Sequence, residues 1–472
     1  MLAYYGVPRI VKGSYDFKIK LSNYILLGFS LVFYAFGGIK YLLLIAAVIV
    51  INWSAGFLCI KERHSLAVRR IGLIGAIICD LGALFFFKYF NLFIATIENI
   101  FFGGELSLEE RFFGIFSGTG TGALGISEIV LPVGISFFTF QALSYVIDIY
   151  NDDAELQSNL FYFALYISCF PQLIAGPIIH YKDISTQLND RVVGSYEFAE
   201  GIKRFCFGLG KKVLIANTVA EISDNVWASD ISQLDATTAW LGAICYTFQI
   251  YYDFSGYSDM AIGLGQMFGF HFKENFDHPY RSESVREFWR RWHISLSTWF
   301  RDYVYIPLGG SRCSLKKTCA NVFIVFLLTG IWHGANWTFL VWGVVYGLLV
   351  IFERVYFGEI LARNPIKFLN RLLVFFVVTL LWVVFRADTI MDAGIFISRM
   401  FIGGIKILNL LKYLSGIGVI AIVCAALFGG FVQAHMSVKA VKGNMVVCLL
   451  LLVVSLLFLV NGTYNPFIYY QF

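Results

Sequence analysis

A short basic and aromatic segment, residues 281–312, stands out in an otherwise apolar sequence because its side chains could do chemistry. It contains six arginines, three tryptophans and one histidine. At the spacing of an α-helix these residues separate into a polar face and an apolar face. The polar face contains Arg286, Arg290, His293, Ser297 and Arg301, and the apolar face contains Phe288, Trp292, Leu296, Trp299 and Tyr303. We therefore predict one amphipathic helix over this segment.

The predicted helix cannot face the lipid, because a central arginine costs about 2.5–3.5 kcal/mol on membrane-insertion scales. It must lie at the membrane interface or line a water-accessible cavity that is walled by protein. A cluster of arginines in such a place is suited to docking a phosphate-rich carrier, because a guanidinium group can bind two phosphate oxygens at once. Arg291 belongs to this cluster as well.

Two histidines are candidates for acid–base chemistry. His333 lies in the apolar run L-L-T-G-I-W-H-G-A-N-W-T-F, and an ionisable residue inside a membrane segment is by default a functional candidate. The alternative is a buried histidine that bonds a backbone carbonyl. His293 lies 40 positions earlier, in the basic segment. A neutral imidazole can take a proton from an alcohol that attacks a carbonyl, which contributes about 10²–10⁴-fold to a rate. The residues alone therefore indicate acyl transfer within a membrane cavity.

Further residues in apolar surroundings could line this cavity or orient a histidine. They are Trp332, Asn336, Gln141, Gln172, Asp253 and Ser255. For the buried polar side chains, hydrogen bonding between helices is at least as good an explanation. Gly330 and Gly334 lie four positions apart, which predicts close helix packing beside His333.

The composition is typical of an integral membrane protein. Of the 472 residues, 58% are hydrophobic and 14% are charged, whereas soluble domains contain about 25% charged residues. The net charge of +5 comes from short Lys and Arg clusters between apolar runs, as in cytoplasmic loops, and predicts no nucleic-acid partner. The nine cysteines are scattered without the Cys/His spacing of a zinc site, so we predict no metal.

Apolar runs long enough to cross a bilayer recur from Leu21 onwards. They predict an all-α polytopic membrane protein with about 10–12 spans, together with interfacial or re-entrant helices. We find no linker, so the prediction is a single membrane-embedded domain over residues 1–472, with its catalytic core at about 130–345. Three interruptions predict broken helices around a central cavity: Pro132 with Gly134, Pro171 with Gly176 and Pro177, and the glycine-containing stretch 256–265.

Several stretches match a known family in order. The longest is F-W-R-R-W-H-I-S-L-S-T-W-F-R-D-Y-V-Y-I-P-L-G-G-S-R, and the others are P-V-G-I-S-F-F-T-F-Q, F-P-Q-L-I-A-G-P-I, Y-D-F-S-G-Y-S-D-M-A-I-G, G-I-W-H-G-A-N-W-T-F and N-P-F-I-Y-Y-Q-F. Together they resemble the membrane-bound O-acyltransferase family over residues 21–472. The Y-I-P-L-G-G stretch favours the branch that acetylates polysaccharides over the relatives that transfer D-alanine to teichoic acid.

The resemblance implies a multi-helix bundle around a central funnel, with two histidines near its middle. His333 matches the near-invariant histidine of the family, and His293 matches the second active-site position. His333 would be the general base, and His293 would position or polarise the acyl carbonyl. Arg286, Arg290, Arg291 and Arg301 would hold the donor or the water of the cavity.

The resemblance also implies substrates and partners. A cytosolic thioester, acetyl-CoA or another acyl donor, would serve as co-substrate without any bound cofactor. The acceptor would be an alginate-like cell-surface polysaccharide, or a secreted esterase-like protein that relays the acyl group. The setting would be the cytoplasmic membrane of a bacterium. Two alternatives are transfer of D-alanyl or another acyl group from a carrier protein to a cell-wall polymer, and a transporter or flippase. A transporter would be expected to contain inverted repeats, which we do not detect.

Overall fold

The structure, a computed structural model, describes residues 1–102, 131–192, 194–358, 360, 365–430, 445–461 and 467. The terminal match N-P-F-I-Y-Y-Q-F therefore lies outside the described residues, apart from Phe467. The chain divides into two compact units: residues 1–174, 180–190 and 334–336 form unit 1, and residues 175–179, 191–333 and 337–472 form unit 2. The predicted single domain over residues 1–472 stays a prediction.

All regular elements of the described ranges are helical, which confirms the predicted all-α class. The helices of unit 1 are α1 (Leu2–Ile10), α2 (Tyr15–Phe36), α3 (Tyr41–Leu58), α4 (Leu66–Lys88), α5 (Phe90–Phe102), α6 (Ile135–Tyr150), α7 (Leu160–Ser168), α8 (Phe170–Leu173) and α9 (Tyr181–Asn189). Inside unit 1, α3 and α4 share a buried polar contact, in which the Asn52 side chain donates to Asp80 at 2.9 Å.

Unit 2 contains the two candidate histidines. Its helices are α10 (Ser195–Gly210), α11 (Asn217–Trp227), α12 (Ala236–Met267), α13 (Val285–Arg291), α14 (Ile294–Phe300), α15 (Leu315–His333), α16 (Trp337–Phe352), α17 (Lys367–Arg386), α18 (Ile390–Ile402), α19 (Gly416–Phe428) and α20 (Met445–Asn461). Three π-helical segments, Lys211–Ala216, Arg301–Tyr305 and Glu353–Phe357, extend α10, α14 and α16.

Six of the described helices are long and apolar enough to cross a membrane. They are Tyr15–Phe36, Tyr41–Leu58, Leu66–Lys88, Leu315–His333, Trp337–Phe357 and Lys367–Arg386. Three shorter apolar helices, Ile135–Tyr150, Gly416–Phe428 and Met445–Asn461, accompany them. Their exposed residues are mainly large and apolar, as a lipid-facing surface requires. The chain is therefore a multi-pass membrane protein.

Two of the three predicted helix interruptions are confirmed. α6 begins only after Gly134, whose φ of 76° suits glycine. A Cβ on Gly134 would also lie 2.5 Å from the Leu173 carbonyl oxygen. Both the backbone conformation and this close approach therefore require glycine at position 134. The second interruption begins where α7 ends, at Ser168. Only the single turn α8 follows, and the chain is then non-helical until α9 begins.

The third predicted interruption was wrong, because α12 runs unbroken through residues 256–265. Its glycines serve helix packing. A Cβ on Gly256 would lie 2.8 Å from the Gly208 carbonyl oxygen of α10, and one on Gly263 would lie 2.6 Å from the Gly201 carbonyl oxygen. Small residues that let two backbones approach are typical of packing between membrane helices. The loss of helix propensity at glycine is offset by this close contact.

The start of α12 depends on a capping carboxylate. Asp235 accepts hydrogen bonds from the Thr238 N–H at 3.0 Å and from Asn409 at 2.8 Å. Burial alone would raise the pKa of Asp235, but the hydrogen bonds from Asn409, Thr237 and Thr238 outweigh burial and hold this pKa below its usual range. The ionised carboxylate therefore stabilises the fold above its unfolded-state pKa of about 3.9, and the benefit is lost as the pH falls through the lower folded-state pKa.

We expect Asp235→Ala to lower the free energy of unfolding by about 1–2 kcal/mol at neutral pH, because it removes the cap of α12. The difference from the wild type should shrink as the pH falls below about 4, because the carboxyl of the unfolded chain is protonated first and the native carboxylate only at lower pH. Thermal unfolding of the detergent-solubilised protein at several pH values measures both effects. Asp230→Ala is the control, since Asp230 caps only the 3₁₀ segment Ile231–Gln233. Equal destabilisation by both variants would contradict this role for Asp235.

Candidate active site

The basic segment is not one helix, so the predicted continuous amphipathic helix was wrong. α13 ends at Arg291 and α14 begins at Ile294. Between them, His293 has a left-handed backbone with φ of 42°, which is uncommon for a residue that carries a side chain. The Ile294 N–H donates to the Asn275 carbonyl at 2.9 Å, so a distant loop holds the break in place. His293 is thereby completely buried, whereas Arg290 of the predicted polar face is exposed.

The N-terminus of α13 is held by a buried carboxylate. Glu353, in the π-helical extension of α16, accepts hydrogen bonds from the Val285 N–H at 2.7 Å and the Arg286 N–H at 3.3 Å. The Ser284 hydroxyl accepts from the Glu287 N–H at 3.1 Å. A negative charge at a helix N-terminus stabilises the helix by interacting with its dipole. The basic segment is thus fixed to α16, which packs against the helix that carries His333.

The His293 imidazole lies among aromatic rings and one amide. Phe254 of α12 meets the imidazole edge to face with ring centroids 4.7 Å apart. Nδ1 lies 3.1 Å from Oδ1 of Asn275. Burial lowers the pKa of His293 to about 3, because charging an imidazole in such surroundings is unfavourable. His293 is therefore neutral at physiological pH.

One indole contacts both candidate histidines. The ring of Trp332 lies 5.8 Å from the imidazole of His293 and 5.1 Å from that of His333, measured between centroids. His333 is 3% exposed, and it also meets Trp342 and Phe385 edge to face at 5.1 Å. Two histidines that are 40 positions apart in the sequence thus contact the same buried side chain.

The four candidate arginines have different surroundings. Arg291 forms ion pairs with Asp277 at 2.8 Å and Glu287 at 2.9 Å. Arg301 lies 2.7 Å from Asp302, and Arg286 lies 4.0 Å from Glu353. For Arg290, no carboxylate lies within salt-bridge distance in the part of the chain that the structure describes. Among the described residues, the Arg290 guanidinium is therefore not neutralised by a neighbouring carboxylate.

A cavity of about 460 Å³ lies beside the basic segment. Its polar lining comes from Arg290, Ser297, Thr298, Arg301, Tyr305 and Thr329, and its apolar lining from Trp289, Ile294, Leu296, Phe300, Val325 and Phe326. Thr329 precedes His333 by one turn of α15, a rise of about 6 Å. Trp289 also contacts Trp342 at 5.6 Å, and Trp342 contacts His333. The cavity thus combines cationic and apolar surface close to the candidate base, with two indoles between them.

Asp253 and Ser255 lie in unit 2 and are both buried in α12. Asp253 forms an ion pair with Lys212 of the neighbouring π-helical segment. One turn and a half further along α12, Asp259 pairs with Arg204 at 2.8 Å and with Lys211 at 2.6 Å. These ion pairs link α12 to α10, so helix-to-helix contact accounts for Asp253. Its predicted place in the cavity lining stays a prediction, as does that of Ser255.

Gln141, Gln172 and Asn336 belong to unit 1. Gln172 donates to the backbone carbonyl of Tyr166 at 2.7 Å, and the Tyr166 hydroxyl donates to the backbone carbonyl of Gln141 at 3.0 Å. Both glutamines are therefore hydrogen-bonded to Tyr166, and these bonds link α6, α7 and α8. Asn336 lies in the short connection between α15 and α16. A cavity role for these three residues stays a prediction.

Some of the residues that surround the two histidines were not identified from the sequence. Asn275 lies 18 positions before His293 and has no motif of its own, so no local signal could have identified it. Trp289 and Trp342 are buried aromatic residues that resemble ordinary core residues in sequence. Only the stretch of alternating arginine and tryptophan in the basic segment could have drawn attention to Trp289.

Comparison with known proteins identifies the family of this chain. Residues 153–391 match the model of the membrane-bound O-acyltransferase family. The chain is 42% identical to a probable alginate O-acetylase of Pseudomonas aeruginosa, over 80% of this chain and 69% of that protein. It is 38% identical to a probable alginate O-acetylase of Pseudomonas putida, over 95% of this chain and 94% of that protein.

A peptidoglycan O-acetyltransferase of Helicobacter pylori is 35% identical, over 77% of this chain and 71% of its own length. The family match includes both buried histidines and the arginine-lined cavity beside them. The chain therefore belongs to the membrane-bound O-acyltransferase family and is an O-acyltransferase.

Proposed function

We propose that this protein transfers an acetyl group from a cytosolic thioester, such as acetyl-CoA, for the O-acetylation of an alginate-like cell-surface polysaccharide. The observation that carries the proposal is the pair of buried imidazoles on one indole, next to a cavity with an available arginine. The names of the relatives supply the acetyl group and the polymer class. The bacterial relatives support a place in the cytoplasmic membrane of a bacterium.

His333 is the general base in this proposal. As the acceptor hydroxyl attacks the thioester carbonyl, His333 takes the hydroxyl proton, the new C–O ester bond forms and the C–S bond breaks. The proton then passes to the departing thiolate, so that an ester and a free thiol result. His293, the second imidazole on Trp332, positions the reacting groups. Neither step requires a metal or a bound cofactor.

The chemical analysis of the cell surface in a deletion strain tests the proposed function. We expect the polysaccharide to be exported but to lose its acetyl esters, and expression of the intact gene should restore them. Loss of D-alanyl esters instead would favour transfer from a carrier protein. Absence of the polymer from the surface would favour a transporter. Each outcome is read by mass spectrometry of the purified polymer.

Two acceptors fit the proposal, the polysaccharide itself and a secreted esterase-like protein that relays the acyl group. Proteoliposomes that contain the purified protein distinguish them. Radiolabelled acetyl-CoA on one side and polysaccharide alone on the other should give labelled polymer if the transfer is direct. If label reaches the polymer only after the secreted protein is added, the transfer is relayed.

We propose that Arg290 and Arg301 bind the phosphate groups of the donor, while the apolar part of the cavity takes its thioester arm. Arg290→Ala removes a charge-assisted hydrogen bond of about 1.5–3 kcal/mol. We therefore expect the KM for the donor to rise by about 10–100-fold with a small change in kcat. The effect should diminish at high salt, because Arg290 is exposed.

Arg70→Ala is the matched control, because Arg70 is an exposed arginine in unit 1, outside the cavity. Its KM for the donor should stay within about twofold of the wild-type value. An Arg290 variant with an unchanged KM, or an equal rise in the Arg70 variant, would remove Arg290 from donor binding.

A further inference from the structure

A network of hydrogen bonds around Asn275 determines which nitrogen of His293 carries the hydrogen. Oδ1 of Asn275 accepts from the Ser295 N–H at 3.2 Å and from the Ser295 hydroxyl at 2.8 Å. The amide nitrogen of Asn275 lies 3.1 Å from the Ser258 hydroxyl of α12. All three residues are at least nine-tenths buried. Because a backbone N–H can only donate, the amide oxygen of Asn275 must be the atom that faces Ser295 and His293.

The Ser295 hydroxyl is also fixed. It accepts from the backbone N–H of Ile178 at 3.0 Å and donates to Oδ1 of Asn275 at 2.8 Å, which is closer to it than Nδ1 of His293 at 3.4 Å. Oδ1 of Asn275 therefore acts only as an acceptor, and Nδ1 of His293, at 3.1 Å from it, must be protonated. A neutral imidazole carries one hydrogen. The remaining nitrogen, Nε2, is consequently an acceptor.

We propose that Asn275 is a positioning residue, which holds His293 in the Nδ1-protonated tautomer and so presents Nε2 to the reaction as a hydrogen-bond acceptor. Ser295 and Ser258 in turn hold the amide of Asn275. In the part of the chain that the structure describes, the rings of Phe254, Phe276 and Trp332 are among the groups that face the imidazole from other elements. None of these three rings carries a charge that would favour the imidazolium. The hydrogen-bond network around Asn275 selects the tautomer.

This assignment separates the two roles predicted for His293. To polarise an acyl carbonyl, His293 would have to donate a hydrogen from Nε2, and that hydrogen is absent in this tautomer. In this tautomer Nε2 can accept a hydrogen bond from the hydroxyl group of the acyl acceptor or from another donor of the site. The role of Nε2 in the mechanism rests on the proposed acyl transfer, whereas the tautomer of His293 does not depend on that proposal.

Solid-state NMR of protein labelled with ¹⁵N-histidine in liposomes measures the tautomer directly. The His293 signals are identified as those missing from a His293→Gln sample. We expect a protonated Nδ1 and an unprotonated Nε2 in the wild type. Asn275→Leu, which has a similar size but no acceptor, should shift His293 to the other tautomer or to a mixture. Asn275→Asp retains an acceptor oxygen and should keep Nδ1 protonated. A protonated Nε2 in the wild type, or an unchanged tautomer in Asn275→Leu, would overturn the proposal.

The same variants are then assayed for acetyl transfer. We expect Asn275→Leu to lower kcat by about 10²-fold or more with little change in the KM for the donor, and Asn275→Asp to recover most of that loss. Ser258→Ala keeps Asn275 but removes one of its anchors, so it should cost less than Asn275→Leu. If Asn275→Leu fails to fold, Asn275→Ala takes its place: a changed or mixed tautomer in that variant supports the proposal and an unchanged one contradicts it.

The two proposals fail in different ways. If the wild-type tautomer is as expected but the wild-type protein acetylates no acceptor, the proposed function is wrong and the role of Asn275 stands. If the wild-type protein is active and Asn275→Leu matches its kcat, Asn275 is not a positioning residue for this reaction.

Discussion

Replacing His333 with alanine is expected to lower acetyl transfer by about 10²–10⁴-fold while the protein remains in the membrane. This range is the usual contribution of a general base. In unit 2 the His333 ring packs against the aromatic rings of Trp332, Trp342 and Phe385. The measurement is transfer from radiolabelled acetyl-CoA in proteoliposomes, at equal amounts of folded protein.

Two further variants make the His333 result specific. His333→Phe retains a ring of similar size among the same aromatic neighbours but has no nitrogen, so it should be as inactive as His333→Ala and closer to the wild type in thermal stability. His271→Ala removes an exposed histidine of the same unit and should retain full activity. Activity within tenfold of the wild type in His333→Phe would exclude His333 as the base.

The class of fold could be predicted from the sequence, because apolar runs and low charge report directly on the lipid environment. The predicted break in residues 256–265 failed for a physical reason. Glycine lowers helix propensity locally, but in α12 its missing side chain permits contact with Gly201 and Gly208 of another helix. That compensation depends on a partner that no local pattern specifies. At Gly134 the prediction succeeded, because a positive φ is a local property of the backbone.

The candidate site could likewise be predicted only in part from the sequence. His293 and His333 could be identified from residue type and surroundings, since an imidazole in an apolar run is conspicuous. The arginines could not be ranked, because their differences arise from carboxylates such as Asp277 and Glu353, which folding brings next to them. The sharp turn at His293 was missed for the same reason: helical periodicity continues through it, and the hydrogen bond from Ile294 that holds the turn ends on a distant loop.

The position of His333 depends on the contact between α15 and α16. Gly330 was predicted to allow close packing, and a Cβ on it would lie 2.5 Å from the Phe339 carbonyl oxygen. Its counterpart on α16 is Gly343, where a Cβ would lie 2.5 Å from the Phe326 carbonyl oxygen and 2.9 Å from the Gly330 Cα. α15 ends at His333, so Gly334, the other glycine of the predicted pair, is not part of the helix. The backbones of α15 and α16 therefore touch within one turn of the candidate base.

Gly343→Leu is expected to force these helices apart and to abolish most of the activity. Overpacking costs about 1–3 kcal/mol in stability, and a displacement of a reacting group by about 1 Å can cost about 10²-fold in rate. Transfer should therefore fall by about 10²-fold even in the fraction of protein that folds, with a lower thermal midpoint. Gly82→Leu is the matched control, because Gly82 lies in the membrane helix α4 with no atom within 4 Å of an added Cβ. If Gly343→Leu is as active as the wild type, or if Gly82→Leu loses as much activity, the position of His333 does not depend on the two glycines.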